Sequence, residues 1–178
     1  MRIIAGSKKG KKLFTPKGDN IRPTTDRTRE ALYSILFARL KKEFSLYRVL
    51  DIFSGTGAFG LEALSRGARE VCFVDIDLSL TKKNVEFCGF HNVSFIKSDA
   101  RKIGKVKDVF DLVFMDAPYN RGLSEEVLDN LYDKGYLGED SIVIVEVARD
   151  EKIVINEKFV LEDERVYGAA KVLFLSKA

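Results

Sequence analysis

Four short apolar runs in this sequence each end on residues that can do chemistry. VLDIF runs into SGTGAFG, so Asp51 stands four residues before Gly55, and Gly57 and Gly60 complete a G-x-G-x-x-G spacing. EVCFVD ends at Asp75, 20 residues past Gly55. VSFIKSDA ends in Ser98, Asp99 and Ala100, and FDLVFMDAPY ends in Asp116, Ala117, Pro118 and Tyr119. Glycines at a strand-to-helix turn let the backbone pass close to a ligand and open the next helix toward it. An acid at the spacing of Asp75 reaches a ribose hydroxyl pair.

On spacing alone, a dinucleotide dehydrogenase fits. Asp51 argues against it. A dinucleotide puts its pyrophosphate at this turn, and a partly desolvated carboxylate there repels it by about 1 kcal/mol or more. A cation suits the position instead. S-adenosylmethionine (SAM) carries an adenosine, an ammonium and a sulfonium, and no phosphate. Asp51 draws the ammonium, Asp75 the ribose, and an acceptor at Ser98-Asp99-Ala100 takes the adenine amine while a backbone N–H reads the ring. Phe53, Ser54, Thr56 and Ile76 flank these positions and complete the expected cofactor set. Core packing fits Phe53 and Phe59 equally well.

Asp116-Ala117-Pro118-Tyr119 resembles the (D/N)-P-P-(Y/F) tetrapeptide of amino-group methyltransferases. An exocyclic amine on guanine or adenine delocalises its lone pair into the ring and attacks poorly. A carboxylate and a neighbouring backbone carbonyl can hold both of its N–H bonds, favour pyramidalisation and stabilise the charge that develops on nitrogen. The Tyr ring stacks on the base, a contact worth about 1–3 kcal/mol. Ala117 stands where the motif has its first Pro, which leaves the carbonyl in place but the backbone less constrained. A strand followed by a tight turn is the plain alternative.

These strand ends need a parallel sheet to bring them together. Strand and helix patterns alternate from Tyr47 onward, which implies right-handed crossovers and helices on both faces. FVLEDERVYG and AAKVLFLSK read as a closing antiparallel pair. The expected fold class is therefore α/β, a Rossmann-like sheet of mostly parallel strands. Its ligands bind beyond the carboxyl ends of the strands. Two short strands, RIIA and KKLFT, are expected at the start, then a helix from about Asp26 to Phe44 with Thr24 or Thr25 as its cap. Asp77 and Ser124 are the expected caps of two later helices. The predicted division is a basic extension over 1–24 and a catalytic domain over 25–178.

At 178 residues, 46% hydrophobic and 32% charged, the chain suits one domain or one with a small extension. Its N-terminus lacks the apolar run of a signal peptide, and no stretch nears a membrane span in length. Cys72 and Cys88 form no C-x-x-C pair, so neither a metal site nor a disulfide is expected and a reducing cytoplasm is the default. His91 has no Ser or Cys partner that would make it a general base. The net charge of +3 hides an asymmetry: residues 1–48 hold 13 Lys+Arg against 4 Asp+Glu, a local +9, and the remainder carries −6. A basic front on an acidic body points to a polyanion partner; a solvated basic turn is the plain alternative.

RIIAG, KGKKL and RPTTDRTREALYSIL, with VLDIFSGTGAFGLEALSRGA, DAPY and RVYGAAKVLFL, resemble the RsmD family of small-subunit ribosomal RNA guanine-N2 methyltransferases nearly end to end. The resemblance implies a class I methyltransferase fold and SAM as donor, with S-adenosylhomocysteine as product. It implies the N2 amine of one guanine in 16S rRNA as acceptor, presented on an assembled or assembling 30S particle. Lys8, Lys9, Lys11, Lys12, Arg22, Thr24, Arg27 and Arg29 are the expected RNA-contacting residues, since Lys and Arg hold phosphates without reading sequence. Methylation of another RNA or DNA amine, and a SAM-binding ribosome-assembly module without turnover, stay open.

Overall fold

Apolar runs bounded by turn-formers become β1 (Arg48–Ile52), β2 (Glu70–Asp75), β3 (Val93–Lys97), β4 (Phe110–Asp116) and β5 (Leu137–Ala148). The computed structural model describes residues 1–16, 26–119 and 121–178. β6 (Phe159–Tyr167) and β7 (Ala170–Lys177) follow, and the seven strands form one sheet in the order β3-β2-β1-β4-β5-β7-β6. The first five pair in parallel, and β7 pairs antiparallel with both β5 and β6. The strand order reverses between β1 and β4, which opens a crevice beyond their carboxyl ends.

Both sheet faces are covered. On one, α1 (Asp26–Arg39), α2 (Ala58–Ser65) and α3 (Ser79–Cys88) bury Leu32, Leu36, Leu61 and Val85 against Val71, Phe73, Phe114 and Ile144. On the other, α4 (Leu123–Asp133) and a 3-10 turn at Ala100–Lys102 bury Val127, Leu128, Leu131 and Ile103 against Leu50, Val74, Met115 and Val145. Gly60 lets α2 lie close on the sheet: a Cβ there would stand 2.4 Å from the Phe73 ring.

Three local expectations need correction. The N-terminal segment makes a single antiparallel bridge, Arg2 with Lys12, in place of two full strands: Ile3 and Leu13 donate across it to the Lys11 and Met1 carbonyls, while the next N–H groups turn to α2. There the Glu62 carboxylate accepts the N–H groups of Ile4 and Ala5 at 2.7 and 3.0 Å, and Ser65 accepts those of Ser7 and Lys8. Helix α1 ends at Arg39, short of Phe44, which joins a separate 3-10 turn at Phe44–Leu46. Helix α4 starts on Gly122, a left-handed residue with φ 63°, and Ser124 is buried inside the first turn, not at the cap. Asp77 does accept the Ser79 N–H at the start of α3, at 3.0 Å. The expected caps Thr24 and Thr25 lie outside the described residues.

Candidate active site

The strand register sets four carboxyl groups in a row. Asp51 pairs with Phe73 of β2 and Phe114 of β4, and Asp75 and Asp116 lie two residues beyond those partners. Asp116 in turn pairs with Glu146 of β5. Side chains two apart share a face, so Asp75, Asp51, Asp116 and Glu146 line one face at the ends of four adjacent strands. It is the face that α1, α2 and α3 cover.

Asp51 lies beneath the glycine loop, 2% exposed, with its Oδ2 accepting the Gly60 N–H at 2.9 Å. Burial pushes its carboxyl up to about 8; the Gly60 bond works against that shift and nearby Asp75 adds to it. Asp75 closes the loop from above: its Oδ2 accepts the Gly55 N–H at 2.9 Å and its Oδ1 the Asp77 N–H at 3.2 Å. Phe53, at φ 59°, is the one non-glycine residue with positive φ among the described residues. Such a backbone is uncommon for a bulky side chain and clusters at ligand sites.

Two polar residues of α3 that the apolar pattern did not single out hold this loop. Thr81 donates its hydroxyl to the Gly55 carbonyl at 2.8 Å and lies 3.1 Å from the Ser54 hydroxyl. Asn84 donates to the Thr56 and Phe14 carbonyls and accepts the Phe14 N–H, at 2.9, 3.0 and 2.8 Å. Both are fully buried. Their signal is a polar pair at i and i+3 on a helix face that otherwise packs.

Ile76, next to Asp75, is 70% exposed, an apolar side chain held open beside the crevice. At the third strand end Ala100 is buried, and Asp99 accepts both the N–H and the guanidinium of Arg101. Those bonds hold the Asp99 carboxyl down at about 2. Ser98 donates its hydroxyl to the Asp99 carbonyl.

At the fourth end, burial first, then Glu146 and Asp51, push the Asp116 carboxyl well above the ordinary range. Ala117 is buried and Pro118 exposed. The Tyr119 hydroxyl donates to Glu146 Oε1 at 3.1 Å. Below this end a stack of rings fills the space under α1: Phe114 lies parallel to Phe59 at 3.9 Å, and Phe59 stacks on Tyr33 at 5.0 Å. Phe59 is thus core. Tyr33 donates its hydroxyl to the Phe59 carbonyl. Glu146 is the other residue that sequence reasoning missed here.

The basic front divides. Lys9, Lys12 and Arg27 are exposed, and Lys8 and Lys11 are half-buried, with ammonium groups over the rings of Phe90 and Phe87. Lys83 of α3 lies 3.9 Å from the Phe14 ring centre. Arg29 is 1% exposed and cannot present itself to RNA. Its Nη2 donates to the Arg2 carbonyl and to Asp26 at 2.6 and 2.8 Å, which makes it an internal tie between α1 and the N-terminal segment. Arg22 and Thr24 lie outside the described residues.

The family model described as conserved hypothetical protein 95 matches residues 1–176. Ribosomal RNA small subunit methyltransferase D of Escherichia coli strain K12 is 36% identical over 150 residues, 82% of this chain and 74% of that protein. The chain belongs to the RsmD family. The RsmD relative from Haemophilus influenzae is 31% identical over 176 residues, covering 94% of this chain and 89% of its own length. The solved structure of Escherichia coli yhhF, whose name assigns it to the methyltransferases, superimposes with a TM-score of 0.81 at 31% identity, over 99% of this chain and 97% of that one. The RsmD sheet described above, mixed, seven-stranded and mostly parallel, is the class I methyltransferase fold, and the chain is a methyltransferase. No helix among the described residues is long and apolar enough to cross a membrane.

Proposed function

We propose that this chain transfers the methyl group of SAM to the exocyclic N2 amine of a guanine in 16S rRNA, in the cytoplasm, on an assembled or assembling 30S particle. The observation that carries the reading is the row of Asp75, Asp51 and Asp116 on three adjacent strand ends at the sheet's switch point, the last of them opening the tetrapeptide. Relatives named as small-subunit rRNA methyltransferases over most of the chain support the substrate class.

SAM supplies an electrophilic methyl on a sulfonium. The residues fit such a ligand. Asp51, buried and pushed toward its neutral form, gains most from a cationic neighbour, which the SAM ammonium provides. Asp75 would hold the ribose hydroxyls, exchanging or sharing its Gly55 bond. Exposed Ile76 would offer an apolar surface to the adenine ring, and Ser98 and Asp99, at the neighbouring strand end, would meet its edge. Asp116 and the Ala117 carbonyl hold the amine. The Asp116 carboxylate would stabilise the positive charge that the nitrogen gains on taking the methyl group from sulfur. Lys8, Lys9, Lys11, Lys12 and Arg27 contact phosphates.

The test is transfer of tritiated methyl from SAM to small-subunit particles lacking the modification, followed by digestion to nucleosides. Label in N2-methylguanosine supports the reading. Label on another base or on DNA moves it to the wider amine-methyltransferase class. SAM binding without label in any nucleic acid makes the chain a binding module.

A further inference from the structure

Glu146 lies outside the tetrapeptide, 30 residues beyond Asp116, yet it touches that motif. It is 3% exposed at the end of β5, pairs in register with Asp116, and accepts the Tyr119 hydroxyl at 3.1 Å. A buried carboxylate costs free energy that a simple packing role would not require, and an apolar residue would continue the SIVIV run at lower cost. Tyr119 sits after the strand, in a loop whose backbone has one Pro fewer than the motif it resembles. The Glu146 bond ties the far end of that ring to β5.

We infer that Glu146 is a positioning residue for the acceptor base: it anchors the Tyr119 hydroxyl and so holds the ring in the plane on which the target guanine stacks. This rests on the proposed amine methylation and adds a residue from a neighbouring strand to the tetrapeptide. It also assigns work to the hydroxyl, which stacking alone does not need. A ring fixed before the base arrives costs less ordering on binding, so the effect falls on capture of RNA more than on chemistry.

The experiment is a double-mutant cycle on Tyr119→Phe and Glu146→Ala, with Glu146→Gln as the conservative control. Tritiated-methyl transfer to unmodified small-subunit particles gives kcat and KM, filter binding gives RNA affinity without turnover, and calorimetry gives SAM affinity. Tyr119→Phe and Glu146→Ala should each raise KM and weaken RNA binding by about 10-fold, the lower end for a lost hydrogen bond to a charged group. The double variant should be no worse than either single. Glu146→Gln keeps an acceptor oxygen, so its KM and RNA affinity should stay within about 3-fold of wild type, with SAM affinity unchanged in all variants. Wild-type KM and RNA affinity in Tyr119→Phe, or losses that multiply in the double variant, would overturn the inference, and Tyr119→Phe decides this even if Glu146→Ala fails to fold. Absence of methyl transfer by the wild-type protein would instead count against the proposed reaction itself.

Discussion

Asp51 Oδ2 accepts the Gly60 N–H at 2.9 Å, so the carboxyl at the end of β1 is tied to the helix that its own glycine loop opens. The tie holds the group in a site where burial pushes it up to about 8. Between the ordinary carboxyl range and that value, the folded chain keeps a proton that the unfolded chain releases. The associated stability is full below about pH 4 and is lost as pH rises to about 8. Asp116 shifts in the same direction. Asp51→Asn keeps an acceptor for Gly60 but cannot ionise. Its melting temperature should therefore exceed that of wild type at pH 8 and converge with it near pH 4, while its SAM affinity falls about 10- to 100-fold. Thermal melts across pH and calorimetry check both halves.

Asn84→Ala should strip three hydrogen bonds from the junction of α3, the glycine loop and the N-terminal segment. Buried partners left unsatisfied cost about 1–3 kcal/mol each before relaxation. A total loss of about 2–4 kcal/mol is expected in urea unfolding, with weakened SAM binding at temperatures where the variant is folded. A surface control, Lys105→Ala, should change neither.

The lysines and Arg29 should separate cleanly. Replacing Lys8, Lys9, Lys11 and Lys12 by Ala should weaken RNA binding and flatten its salt dependence by about 0.7–0.9 per lost phosphate contact, with SAM affinity unchanged. Arg29→Met should leave the salt slope of the folded protein alone and lower its melting temperature, because the guanidinium ties α1 to Arg2 and Asp26 inside the protein. Filter binding from 50 to 200 mM salt, read beside the melts, distinguishes them.

The strand ends were legible because each acid follows a buried apolar run, and a parallel sheet must gather such ends on one edge. Asp75 and Asp51 needed only their spacing from the glycines. Glu146 was not legible: SIVIVEV reads as one more buried strand, and only the register with Asp116 shows that its acid joins the row. Thr81 and Asn84 were missed because the helical pattern of α3 draws attention to Val85 and Cys88 on the same face. Arg29 misled in the other direction. An arginine near a helix start normally points to solvent, and its burial depends on a carbonyl of Arg2, 27 residues away in sequence. The Ser124 cap failed because Gly122 reaches the left-handed conformation and starts the helix earlier.

Asp116→Ala is the most direct test of the mechanism, read as the single-turnover rate of methyl transfer to unmodified small-subunit particles with SAM and RNA both saturating. The carboxylate acts as nitrogen gains charge, so the rate should fall about 100-fold or more, while SAM affinity is retained and the melting temperature does not fall. A single-turnover rate near that of wild type would contradict amine methylation at this site.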